Sequence, residues 1–147
     1  MNKVVIFWFR RDLRLHDNTA LFHALSNSET VLPIFIFDTH ILNDLKNKKD
    51  KRVDYIHQSL QKIQDKLIAA CSSLYIVNET PQKAFEKITQ KLSVKAVYVN
   101  HDYEPSAIER DDKIAKYLQS KNIAFHSFKD QVIFEKKEVM KADGTPY

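Results

Sequence analysis

The residues able to do chemistry in this sequence cluster in short stretches, each following an apolar run. Arg10-Arg11-Asp12-Leu13-Arg14 follows one run, Asp38-Thr39-His40 another, and Asn100-His101-Asp102-Tyr103-Glu104 a third. Arginine forks beside carboxylates do two kinds of work. They lock loops through charge-assisted hydrogen bonds, or they face a planar or anionic ligand. Both readings stand for the first stretch, where the partners in reach are Asp12, Asp17 and Asp102. Asp102 and Glu104 alternate along an extended segment and so point the same way. They suit the positive end of a helix opening at Pro105, one wall of a pocket, or an acid/base pair. The last of these lacks a nucleophile or metal to serve.

Other chemistries are excluded by counting. The sequence has one glycine, Gly144, whereas phosphate-cradling loops need several so that the backbone can approach the phosphates. The six histidines, His16, His23, His40, His57, His101 and His126, form no H-x-x-x-H or H-E-x-x-H pair. The single cysteine, Cys71, rules out a C-x-x-C motif and an internal disulfide, and suits a reducing compartment. It falls on the apolar side of an expected helix, which assigns it to core packing.

The elements that must position these stretches alternate strand and helix. Apolar runs predict strands over 3–9, 30–37, 73–77, 94–99 and 123–128. Pro33 inside the second points to a strand start, a bulge or limited pairing. Asp17 can cap a helix over 18–27 with Ala20, Leu21, Ala24 and Leu25 inward. A loop follows over 38–50. The helix over 51–71 carries Val53, Ile56, Leu60, Ile63, Leu67 and Cys71 at intervals of three and four. Thr80-Pro81 and Pro105 open helices over 81–92 and 105–121, burying Ala84, Phe85, Ile88 and Leu92 in one and Ile108, Ile114, Ala115 and Leu118 in the other. Residues 130–140 form a less regular tail. Trp8 and Phe35 are read as core. The order implies an α/β domain over 1–147: a three-layer, doubly wound, five-stranded parallel sheet, Rossmann-like. In such sheets ligands bind outside the carboxyl ends of the strands. The three polar stretches lie on that rim, and Arg52, at a helix start beside it, can point inward.

Hydrophobic residues make up 44% and charged residues 29% of 147, a globular composition able to bury a core. No apolar run approaches the ~20 residues of a membrane helix. Met1-Asn2-Lys3-Val4-Val5-Ile6 runs straight into a strand pattern with no signal-peptide layout, so a cytoplasmic protein with no membrane partner is expected. The net charge of +4 owes much to Lys46-Asn47-Lys48-Lys49-Asp50-Lys51-Arg52, read as a solvated loop. The closing Lys141-Ala142-Asp143-Gly144-Thr145-Pro146-Tyr147 reads as a connector or a frayed end.

Phe7-Trp8-Phe9-Arg10-Arg11-Asp12-Leu13-Arg14-Leu15-His16-Asp17-Asn18 resembles the opening motif of the DNA photolyase/cryptochrome family. The likeness continues through Val31-Leu32-Pro33-Ile34-Phe35-Ile36-Phe37-Asp38, the stretch from Ala96 to Pro105, Phe125-His126-Ser127-Phe128-Lys129-Asp130-Gln131 and Gly144-Thr145-Pro146-Tyr147, so it spans the chain. The resemblance implies an N-terminal domain holding a light-harvesting antenna chromophore: a deazaflavin, a folate or a flavin. A helical domain then follows, binding FAD and pyrimidine-dimer DNA and performing light-driven electron transfer. This chain would partner that domain, meet DNA through it, act as a monomer and carry no catalysis of its own. In deazaflavin-binding members the positions matching Arg10, Phe35, Ile36, Phe37, Asp38, Ile41, Arg52, Asp102 and Glu104 line the pocket. In folate-binding members an Asn-Glu pair follows the Tyr-Glu motif; Ser106-Ala107 stands here, which weakens that reading. Such a pocket needs only apolar walls and a few polar anchors. The rival expectations are a cryptochrome photosensor domain and, from another class, a Rossmann-like nucleotide-binding or interaction domain.

Overall fold

The computed structural model describes residues 3–28, 30–45, 50–135 and 138–145. The basic run at 46–49 and the closing Pro146-Tyr147 lie outside the described residues. Ten elements follow one another: β1 (Val4–Phe9), α1 (Thr19–Asn27), β2 (Val31–Phe37), α2 (Thr39–Asn43), α3 (Lys51–Ala69), β3 (Tyr75–Asn78), α4 (Pro81–Lys91), β4 (Val94–Asn100), α5 (Pro105–Ser120) and β5 (Ala124–Phe128). The strands form one parallel sheet in the order β3-β2-β1-β4-β5. The crossovers from β1 run outward through β2 to β3, and the chain then returns to β4 on the other side of β1. The topological switch point therefore lies between β1 and β4.

Alternating side chains of the sheet build two cores. Val5, Phe7, Phe9, Phe35, Ala96 and Tyr98 pack with Ala20, Leu21 and Ala24 of α1 and Leu60 and Ile63 of α3. Ile6, Trp8, Ile34, Ile36, Val97 and Val99 pack with Ala84, Phe85 and Ile88 of α4 and Ile114 and Leu118 of α5. The three-layer arrangement read from the sequence is the one observed. No helix among the described residues is long and apolar enough to cross a membrane.

Several local expectations are corrected. Asn18, not Asp17, caps α1: its side chain accepts the Leu21 amide, while Asp17 sits in a left-handed turn at φ 51. Leu25 faces solvent at 59% exposure, one position off the buried stripe, and Leu92 lies just past the end of α4. Residues 39–43, expected as loop, form the short helix α2, capped by Asp38. α3 stops at Ala69, so Cys71 lies beyond it, exposed, at φ 56 rather than in the core. Pro33 pairs with Phe7 of β1, and pairing of β2 with β3 begins one residue later at Ile34. The proline thus sits where β2 has no partner on its outer side, a position its missing N–H tolerates.

Candidate functional site at the carboxyl ends of the strands

Where β1 ends, the chain folds back on Asp12, whose Oδ1 accepts the Arg10 amide at 2.8 Å. The other oxygen, Oδ2, accepts from Asn100 Nδ2 at 2.6 Å. Asn100 also donates to Asn18 Oδ1 at 2.9 Å, and its own Oδ1 accepts the Ala20 amide at 2.9 Å. Asn18 and Asn100 are each 5% exposed. Burying two amides is tolerated because their partners are present, and the network ties the exits of β1 and β4 to the start of α1.

The three arginines of the opening motif divide their work. The Arg10 side chain is 7% exposed. Its guanidinium donates to Asp111 of α5 and to the Asn100 carbonyl, and lies 5.2 Å from the centre of the Trp8 ring. Arg110 approaches Trp8 at 5.1 Å and pairs with Asp111 at 2.9 Å. Arg10, expected on the ligand rim, is thus turned into the protein by a carboxylate the sequence reading had not picked out. Arg11 faces outward and joins Glu104 at 2.7 Å and Asp102 at 3.8 Å. The Glu104 hydrogen bond, aided by both carboxylate charges, raises the Arg11 guanidinium above its ordinary value against the smaller opposing effect of burial. Asp102 and Glu104 are thereby tied across the rim to β1, as the loop-locking reading of these arginines proposes. Arg14 reaches Asp130 at 2.6 Å and the Asp17 carbonyl at 2.5 Å.

The β2 end is built differently. Phe35 and Ile36 are buried at 7% and 6% exposure on opposite faces of the sheet, so both are core. Phe37 is half-buried, and Asp38 accepts the His40 amide at 2.9 Å. Ile41 is 59% exposed. Arg52 does not point inward: Asp50, which caps α3, also accepts its Nε at 3.0 Å and Nη2 at 2.7 Å, and the Arg52 side chain is 78% exposed. That pairing holds the Asp50 carboxyl well below its ordinary range.

Beyond β5 the chain crosses back over the rim. Asp130 accepts the Thr19 amide at 2.9 Å and its hydroxyl at 3.0 Å. Glu135 accepts from Tyr103 Oη at 2.6 Å and stands 2.5 Å from His101 Nδ1. Burial, and then the Glu135 hydrogen bond and charge, push the Tyr103 hydroxyl far above its ordinary value. A crevice of about 10 Å³, room for about one water, lies at the switch point between Arg10, Asp12, Asn100, Asp102, Asp130 and Gln131. A groove of about 320 Å³ runs beside it between α5 and β5, with Ile108, Ala115 and Phe125 as floor and Tyr103, Asp112 and Glu135 on its edge. Asp111, Asp130 and Glu135 are the residues that sequence reasoning missed. Asp111 had a signal: it falls in the buried stripe 107, 111, 114, 118 of α5, where a charge demands a partner.

A doubly wound parallel sheet with an arginine-locked switch point and no glycine-rich loop defines the class. The DNA photolyase family profile matches residues 5–147, and the chain belongs to that family. It is 33% identical over 143 residues to a deoxyribodipyrimidine photo-lyase of Synechococcus sp. (strain PCC 6301), covering 97% of this chain and 29% of that protein. It is 30% identical over 145 residues to cryptochrome-1 of Drosophila melanogaster, covering 95% of this chain and 27% of that protein. Among solved structures, an archaeal photolyase from Sulfolobus tokodaii, described as holding two FAD molecules and implying a novel light-harvesting cofactor, superposes with a TM-score of 0.85 at 35% identity, covering 94% of this chain and 32% of that one. The chain thus spans under a third of the length of these relatives.

Proposed function

We propose that this chain is the light-harvesting-cofactor domain of a deoxyribodipyrimidine photolyase. The full-length parent would repair pyrimidine dimers in DNA by light-driven electron transfer from FAD, held in a following helical domain together with the damaged DNA. This domain would collect light and make no bond itself. The observation that carries the reading is the match, over 94% of the chain, to the archaeal photolyase whose description names two FAD molecules and a light-harvesting cofactor. That relative favours a flavin-type chromophore over a deazaflavin or folate.

A flat chromophore would sit against the β2 side of the rim. Ile41 offers apolar surface, and the exposed guanidinium of Arg52 offers a planar face for stacking. Asp38 would supply a polar anchor there, and Glu104, paired with Arg11 on the β1–β4 side, would supply one from across the rim. Phe35, Ile36 and Phe37 would act from the core as rigid support, and Arg10, Asp102 and Asp111 would fix the rim beside it. When bound, the chromophore supplies near-ultraviolet and blue absorption; the protein's part is to hold it still and dry. The exposed, unpaired Cys71 fits a cytoplasmic location, and the domain is read as part of a monomer.

The test is titration of the chain with FAD, FMN, a deazaflavin and methenyltetrahydrofolate, followed by fluorescence anisotropy and thermal shift. A flavin should bind and raise Tm; binding of none would overturn the antenna reading. The second reading, a cryptochrome photosensor, is favoured by the Drosophila relative. Full-length protein separates the two: light-dependent loss of dimers from damaged DNA supports the photolyase, and its absence supports the photosensor.

A further inference from the structure

The groove between α5 and β5 lies outside the proposed chromophore site. β5 ends the sheet and is paired on one side alone, with β4. Phe125 and Ser127 lie opposite Val97 and Val99 and so face the α5 side, where Ile108 and Ala115 complete the groove of about 320 Å³. Ala124, His126 and Ser127 are exposed. Natural proteins guard such an edge with a lysine, a proline or a bulge. Ala124-Phe125-His126-Ser127-Phe128 contains no lysine and no proline, and its ladder with β4 runs without a shift.

The charge along the groove has one sign. Asp102, Asp111, Asp112 and Glu135 line it, and among the described residues no lysine or arginine does, in a chain of net charge +4. Asp102 and Asp111 are answered from behind by Arg11, Arg110 and Arg10. Asp112 is exposed on α5, and Glu135 is half-buried at the groove's edge. These carboxylates repel a phosphate backbone. Among the described residues no cluster of side chains is arranged to hold a metal ion, so the cation that suits the groove is an organic one.

We propose that this groove docks an extended, basic segment of a partner polypeptide, which adds to the sheet as a sixth strand beside β5. Backbone hydrogen bonds to the open edge hold the segment, and its alternate side chains give selectivity. Side chains two residues apart on a strand share a face and stand about 7 Å apart. One apolar residue covers Ile108, Ala115 and Phe125, and a lysine or arginine two positions along meets Asp112 and Glu135. A small cation would leave the strand edge unused. The site needs no chromophore at the β2 half.

Fluorescein-labelled eight-residue peptides test this by anisotropy. The basic probe repeats Thr-Leu-Thr-Lys; in one control glutamate replaces lysine, and in the other serine replaces leucine. The basic probe should bind, the serine control about tenfold more weakly, and the glutamate control more weakly still. D112K, a change at an exposed position, should weaken the basic probe about fivefold and strengthen the glutamate control, with the unfolding midpoint unchanged. Amides at 124–128 should gain protection from hydrogen exchange when the basic probe is bound, while β3, the opposite edge, stays unchanged. No binding of the basic probe, equal binding of the glutamate control, full affinity in D112K, or binding that leaves exchange at 124–128 unaltered would overturn the proposal.

Discussion

The two halves of the strand-end rim contrast sharply. At the β1–β4 half, every polar group of Asp12, Asn18 and Asn100 named above is bonded within the protein, and Arg10 is buried against Asp111 and Trp8. At the β2 half, Asp38 and Asp50 cap α2 and α3 through contacts two residues away, and the flanking Ile41 and Arg52 lie open to solvent. One half spends its charge on holding strands together; the other keeps side chains available. The strand-end rim thus has a locked segment beside an open one, and composition alone does not separate them, because both are arginine–aspartate pairs. What separates them is sequence distance: Arg10 pairs with Asp111 on another element, Arg52 with Asp50 two residues away.

Substitutions should split along this line. N100A should have the largest effect, since it leaves the Ala20 amide, the Asn18 side chain and the Asp12 carboxylate short of a partner; a loss of about 3 kcal/mol is expected in urea unfolding. D130N comes next, at about 1–2 kcal/mol near neutral pH. Burial pushes the Asp130 carboxyl upward, but the hydrogen bonds from Thr19 and Arg14 outweigh it and hold the group below its ordinary range. A carboxyl whose folded pKa lies below its unfolded one contributes stability above the unfolded value and loses it as pH falls through the folded one. The gap between wild type and D130N should therefore be full at pH 7 and close below about pH 4; a constant gap down to pH 2 would show that the charge is not the cause.

R11A should cost under about 1 kcal/mol, because Arg11 is largely exposed and Asp102 keeps Arg110 and the Tyr103 amide. R52A should leave the unfolding midpoint unchanged yet weaken flavin binding severalfold in the anisotropy titration. A stability loss in R52A with binding intact would invert the comparison between the two halves.

The layers were legible in the sequence because β1, β2 and β4 are apolar on both faces and the helices between them carry stripes at intervals of three and four. The element ends were less legible for a physical reason. Helices usually stop on a glycine in the left-handed region, and here Cys71 at φ 56 and Asn122 at φ 57 do that work, so the α3 pattern read two residues too far. At the site, the stretches on the rim were visible, but their pairings were not: Asp111, Asp130 and Glu135 lie 101, 116 and 34 residues from Arg10, Arg14 and His101. Partners distant in sequence, Asp111 and the Asn100 carbonyl, turned Arg10 inward.

The packing of Trp8 has an optical consequence. It is the chain's sole tryptophan, 2% exposed, with an arginine on each of two approaches. Tryptophan emission, excited selectively at the red edge, therefore comes from one site in the core beside the switch point, and unfolding moves that indole into water with a red shift. A near-ultraviolet-absorbing chromophore bound on the rim would drain the same emission by resonance transfer. The molecule carries a built-in gauge of its folding, and the same signal would report the proposed chromophore if it binds.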